Sequence, residues 1–276
     1  MNRLILAIFA AAITAVTASA ADLPLKAPPI APVATYNWSG WYAGLNAGGA
    51  WNDTRDDVDP SGCFLAGTCG APATLNVLRS DSVRLNGAGF TGGAQAGYNW
   101  QRERWVFGIE GDINYSGIND GNSINRAVAA PLVGNFIHSE SDKMDWFGTL
   151  RGRVGMTVNP SLLIYGTGGL AFGQVRSAST VAFTSTADTY AGSIDQTRAG
   201  WTVGGGGEWM IAPKWSIKAE YLYVDLGKVS YTQACTAAGV CTAPPLPTPA
   251  SYQTDLHVRE HIARVGLNYH FDLARN

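Results

Sequence analysis

The chain has 276 residues, of which 14% are charged and 46% hydrophobic, and it carries a net charge of −2. That charge content is well below the roughly 25% of an ordinary soluble protein, and the near-neutral balance lacks the clustered basic surface that nucleic acid requires, so no nucleic-acid partner is expected. After the N-terminus no apolar stretch is long enough for a membrane helix, whereas 33 glycines and 11% aromatics suit close-packed strands with rings anchored at a membrane interface.

Residues 1–20 read as a secretory signal peptide. Arg3 gives a basic start, Leu4 to Val16 an apolar core, and Ala18-Ser19-Ala20 a small-residue cleavage pattern. Residues 21–37 contain Pro24, Pro28, Pro29 and Pro32, which favour a flexible, extended periplasmic lead-in. Residues 38–276 form the third unit.

Within that unit, eight segments alternate between an apolar face and a small or polar one, with the period of two that defines a strand. In the first, Gly40 to Trp51, Trp41, Ala43, Leu45, Ala47, Gly49 and Trp51 face one way and Tyr42, Gly44, Asn46 and Gly48 the other. The long segment Asn52 to Ala88 reads as a surface loop. The second strand, Gly89 to Trp100, turns through Gln101-Arg102-Glu103-Arg104 into the third, Trp105 to Ser116, whose inner face carries Glu110 and Asp112. A second long loop, Gly117 to Ser141, precedes the fourth strand, Asp142 to Met156. There Met144, Trp146, Leu150, Val154 and Met156 are expected outside, and Asp145, Phe147, Thr149, Arg151 and Arg153 inside. The fifth strand, Leu162 to Val175, follows the turn Asn159-Pro160-Ser161.

A third loop, Arg176 to Asp195, leads to the sixth strand, Gln196 to Met210, with Arg198, Thr202 and Glu208 inward. Its run Gly204-Gly205-Gly206-Gly207 has no following helix and reads as close packing or curvature rather than a phosphate cradle. The seventh strand, Trp215 to Leu226, points Lys218 and Glu220 inward. The fourth loop, Gly227 to Asp255, contains Pro244, Pro245, Pro247 and Pro249. The last strand, Leu256 to Phe271, alternates Ala263, Val265, Leu267, Tyr269 and Phe271 with Arg264, Gly266, Asn268 and His270.

Tight turns after even strands and long loops after odd ones define an all-β, eight-stranded antiparallel transmembrane β-barrel with long extracellular loops and short periplasmic turns. Trp41, Trp100, Trp105, Trp209 and Trp215 fall near one rim of its outer face, and Trp51, Trp146 and Trp201 near the other, as two interfacial girdles. Cys63, Cys69, Cys235 and Cys241 occur as two close pairs. Export favours disulfides between Cys63 and Cys69 and between Cys235 and Cys241, with two other connectivities open and a zinc site as the rival reading.

Four stretches resemble the small porin-like outer-membrane proteins of Gram-negative bacteria often called outer-membrane immunogenic proteins, related to the OmpA-type barrel. They are Tyr36 to Gly48, Tyr165 to Ala171, Lys218 to Tyr223 and Arg264 to Phe271. The resemblance implies an eight-stranded barrel in the cell outer membrane, and the chain is expected to be a monomer in contact with outer-membrane lipid and lipopolysaccharide. It also implies insertion by the barrel-assembly machinery, with the terminal aromatic Phe271 as part of the insertion signal, although here Asp272 to Asn276 follow it.

An eight-stranded barrel is narrow enough for side chains to fill. Its expected inward charges are Glu110, Asp112, Asp145, Glu208 and Glu220 against Arg151, Arg153, Arg198, Lys218 and Arg264, a balanced set that suggests a salt-bridged plug. Replacing Arg151 or Glu110 by Ala should then raise conductance or lower stability. The expected function is a structural, surface-exposed protein serving envelope integrity and surface interactions. The alternatives are a small porin with a narrow charged lumen, or a ligand-binding or adhesion protein acting through its loops. No catalytic motif, cofactor motif or haem pocket is readable, and no enzyme is expected. Among the histidines, His138, His257 and His261 read as loop or rim residues and His270 as polar lumen lining.

Overall fold

A computed structural model of the chain describes residues 36–62, 80–128, 134–184, 188–236 and 250–271. Residues 1–35, which hold the expected signal peptide and the prolines of the expected lead-in, Cys63, Cys69, Cys241, the second proline cluster and residues 272–276 lie outside them. The strands are β1 (Gly40–Asn52), β2 (Thr54–Gly62), β3 (Asp81–Leu85), β4 (Ala88–Arg102), β5 (Trp105–Val128), β6 (Gly134–Asn159), β7 (Leu162–Phe183), β8 (Thr189–Ala212), β9 (Trp215–Cys235) and β10 (Ala250–His270).

Antiparallel pairing runs β1-β4-β5-β6-β7-β8-β9-β10, and β1 pairs with β10 to close an eight-strand ring. Closure leaves no open edge in the ring, the condition for crossing lipid with strands. Large apolar side chains stand outside: Leu45, Phe107, Ile113, Leu150, Leu170, Val203, Ile217 and Val265 are all exposed, as are the girdle tryptophans other than Trp146, which is half-buried. The tight turns are confirmed. One holds Glu103 at φ 55°. Another is an Asx turn in which the Asn159 side-chain oxygen accepts from the Ser161 N–H at 3.0 Å.

The segments expected as loops are largely strand. β5 and β6 run 24 and 26 residues, more than twice the roughly 9–11 that span a bilayer. After Asp53, β1 continues as β2, which pairs with the upper part of β10 and then with β3. These extensions rise beyond the outer girdle, where water replaces lipid outside and the outer face need not be apolar. The alternation that marks the membrane half is therefore absent from their sequences.

Two bulges reset the alternation. Between Lys143 and Phe147 the β6 register shifts, so Met144 faces inward and is buried while Asp145 faces outward; both were expected the other way round. In β9 the shift falls opposite Val258 and Arg259, with Gly227 at φ +76°, a conformation that only glycine adopts without strain. Within the glycine run, a Cβ on Gly204 or Gly206 would lie 2.2 or 2.3 Å from a carbonyl oxygen of β9, whereas one on Gly207 would have 3.9 Å of clearance. The inward glycines are thus where neighbouring backbones approach most closely.

Candidate functional site in the barrel lumen

Inward residues stack in layers along the barrel axis. At the periplasmic end, Trp38, Val106, Leu163, Tyr165 and Met210 form an apolar cap, with Tyr36 packed against it. The N–H of Trp38 donates to the Gln101 side-chain oxygen at 2.8 Å, and its ring meets His270 edge-on at 5.8 Å. Tyr36 and Trp38, which precede β1, are therefore part of the barrel floor.

Above the floor lies the charge layer. Eight of the ten expected residues meet there: Glu110, Asp112, Glu208 and Glu220 with Arg151, Arg153, Lys218 and Arg264, all buried. Arg151 donates to Glu110, Asp112 and Glu220 at 2.5, 2.9 and 3.0 Å. Lys218 donates to both Glu110 oxygens at 2.8 and 2.9 Å, and Arg264 reaches Asp112 and Glu220 at 2.9 and 2.6 Å. Arg153 donates to Glu208 at 2.7 Å and lies over the Tyr165 ring at 4.1 Å. The four acids face four cations, which compensates the cost of removing each from water.

The other two expected members stand elsewhere. The β6 bulge sends Asp145 outward to pair with Lys143 at 2.8 Å and with Arg176. Arg198 is half-buried, and its guanidinium donates to the Lys228 carbonyl at 2.7 Å instead of to a lumen acid. Tyr42, Gln95, Asn114 and Asn268 extend the charge network by hydrogen bonds. Tyr42, Asn114 and Asn268 occupy inward positions of the strand pattern, but nothing in the sequence shows which charges they reach.

The third layer is apolar. Ile118, Met144, Phe147, Val175, Leu222, Leu226, Leu256, Val258 and Ile262 pack together inside the barrel. At its edge a cavity lined by Asn52, Thr54, Ile118, Met144, Val258 and Glu260 has a volume of about 20 Å³, room for about one water molecule.

The fourth layer lies beyond the outer girdle and was not foreseen. Asp56 of β2 and His138, Glu140 and Asp142 of β6 are all buried. His138 Nε2 is 3.2 Å from Asp56 Oδ2 and 3.9 Å from Glu140 Oε2, and 3.2 Å from the Ser179 hydroxyl. The hydroxyls of Ser177 and Tyr231 both donate to Glu140 Oε1. Burial alone works to lower the His138 pKa, but contact with Asp56 and Glu140 outweighs it and pushes it up to about 9. Burial lifts Asp56 to about 7. Burial and then repulsion from Glu140 lift Asp142 to about 8. Glu140 is also opposed by burial, yet it is held below the usual carboxylate range by His138 and its hydroxyl donors. Above this cluster Phe136, Phe183, Tyr190 and Tyr252 pack ring against ring. A sequence signal for the cluster exists in His138-Ser139-Glu140-Ser141-Asp142, where the ionisable groups alternate with serine and so share one face of a strand.

A closed ring of antiparallel strands with an apolar belt outside and buried polar layers inside defines a transmembrane β-barrel of the outer-membrane kind. Residues 8–271 match the model of the family described as outer membrane protein beta-barrel domain, and the chain belongs to that family. It is similar to the 31 kDa outer-membrane immunogenic protein of Brucella melitensis, with 37% identity over 98% of this chain and 100% of that one. The 25 kDa outer-membrane immunogenic protein of Brucella abortus is 29% identical, over 80% of this chain and 82% of that one. Among solved structures, neisserial surface protein A covers 84% of this chain and 98% of its own, at 14% identity and a TM-score of 0.34. The protein is thus an outer-membrane β-barrel of an immunogenic surface-protein family and resides in a Gram-negative outer membrane.

Proposed function

We propose that the protein is a closed, non-conducting barrel that contributes to envelope integrity and presents its extracellular rim for surface interactions. The observation that carries this reading is the stacking of the apolar layer around Phe147, Leu222 and Ile262 on the four-against-four charge layer. An ion crossing the lumen would have to shed its hydration among apolar side chains and then break charge-assisted hydrogen bonds. The surface role is supported by strands that rise past the outer girdle, which hold the rim well clear of the bilayer. Contacts with lipopolysaccharide, insertion by the barrel-assembly machinery through Phe271, and a monomeric state belong to the same reading.

A catalytic role is not part of it. His257 and His261 share the outward register of β10, and His261 Nδ1 is 2.5 Å from the Tyr221 hydroxyl, stacked on Trp51. Cys235, at the end of β9, is disulfide-bonded, which fits a rim stapled by Cys63–Cys69 and Cys235–Cys241 bridges. Peptide mapping under non-reducing conditions tests that pairing, and a Cys63–Cys235 peptide would overturn it.

The deciding experiment is single-channel recording of the folded chain in a planar bilayer, after heat-shifted gel mobility has confirmed the barrel. The expected result is silence. Reproducible discrete steps would overturn the closed-lumen reading in favour of a small porin, with the charge layer as its selectivity filter.

A further inference from the structure

We infer that Asp56, His138 and Glu140 form a binding site for a divalent transition-metal ion of the zinc class, inside the extracellular part of the barrel. One ligand atom from each of the three lies within 4.8 Å of the other two. Ligand distances of about 2.0–2.2 Å allow two donors on opposite sides of such an ion to be at most about 4.4 Å apart. The separations of 3.2 Å from His138 Nε2 to Asp56 and 3.9 Å from it to Glu140 fall inside that limit, and the Asp56–Glu140 pair lies within 4.8 Å, so side-chain shifts of a few tenths of an ångström (~0.4 Å) bring all three onto one ion.

The carboxylate donors are held by little besides His138, whose Nε2 also meets the Ser179 hydroxyl. Both carboxylate oxygens of Asp56 and the Oε2 of Glu140 are buried with no hydrogen-bond partner among the described residues, and so is Oδ1 of nearby Asp142. A buried carboxylate oxygen without a donor is costly, and a bound cation would relieve that cost at each of the three residues. Among the described residues His138 is the one cation that ion-pairs with Asp56 or Glu140. Glu140 is also braced as a ligand would be: Ser177 and Tyr231 hold Oε1 and leave Oε2 turned toward His138 and Asp56. This is the outer-shell support that orients metal-binding carboxylates.

The donor set selects the ion. Calcium and magnesium take six or more hard oxygens, whereas an imidazole beside two or three carboxylates suits zinc and its first-row neighbours. The apolar layer below and the four aromatic rings above would shield the bound ion from solvent. The site does not depend on whether the lumen conducts.

The test uses the folded, untagged chain in detergent with its cysteines oxidised, stripped with chelator and then dialysed against zinc. Elemental analysis should find one zinc per chain, and cobalt in its place should give the visible absorption of a low-symmetry nitrogen and oxygen site. Asp56→Asn, His138→Gln and Glu140→Gln should each weaken binding by at least about tenfold, since even an outer-shell partner costs that much. Asp145→Asn, on the outward face, should bind as the wild type does. Heat-shifted mobility selects the variants that fold, and any one that folds decides the matter. Absence of stoichiometric zinc from the folded wild type, or equal zinc on wild type and a folded ligand variant, would overturn the assignment.

Discussion

Arg151→Met isolates the charge layer. Arg151 is fully buried and bonds three carboxylates at 2.5 to 3.0 Å, so its loss leaves four acids facing three cations inside the barrel. Removing one partner from a buried ion pair costs about 3–5 kcal/mol, chiefly because the remaining charge is stranded. Urea unfolding in detergent, followed by tryptophan fluorescence, should show a loss of that size. Adding Glu110→Gln restores the balance at three against three. Although Glu110→Gln alone also destabilises, by loosening Lys218 and Tyr42, the double variant should be more stable than the sum of the single losses by about 0.5–3 kcal/mol. Neither variant should conduct, because Phe147, Leu222 and Ile262 still close the next layer. The reasoning fails if Arg151→Met lies within about 0.5 kcal/mol of the wild type, the range of ordinary surface substitutions, or if the two losses simply add.

Leu150 and Val265 are 56% and 57% exposed on the outer face between the girdles, and Arg at either should cost about 2–4 kcal/mol in lipid; unchanged unfolding curves would refute the facing. Gly204→Ala places a Cβ 2.2 Å from a β9 carbonyl oxygen and should cost about 1–3 kcal/mol as overpacking does, while Gly207→Ala should be near neutral; equal urea midpoints for the two would contradict the strand spacing. Gly227→Ala meets no atom within 4 Å, yet its φ of +76° should still cost about 1–2 kcal/mol. A neutral result there would mean that the β9 bulge relaxes to an ordinary strand.

The parts of this protein that could be read from its sequence are those on which lipid imposes a rule. Between the girdles every outward residue must be apolar, so Ile109, Leu150, Val203, Ile217 and Val265 identify their own strands and, by alternation, place Glu110, Arg151, Glu208, Lys218 and Arg264 inside. Beyond the outer girdle water lies outside, so Ser139 and Ser141 are as acceptable there as leucine is below, and the strand from His138 to Asp142 reads as loop. A bulge is equally silent, since one extra residue leaves no compositional mark; Asp145 and Met144 were misplaced for that reason alone. The charge layer was legible because its balance is a property of composition summed over strands. The Asp56 cluster was not, because it needs β2 to pair with β10 above the end of β1, a contact between residues about 200 positions apart. What the fold adds to the sequence is therefore concentrated in the extracellular half. There the strands are freed from the lipid rule, and unpartnered carboxylate oxygens are buried beside an imidazole, which is why binding chemistry is expected in that half and stability chemistry in the other.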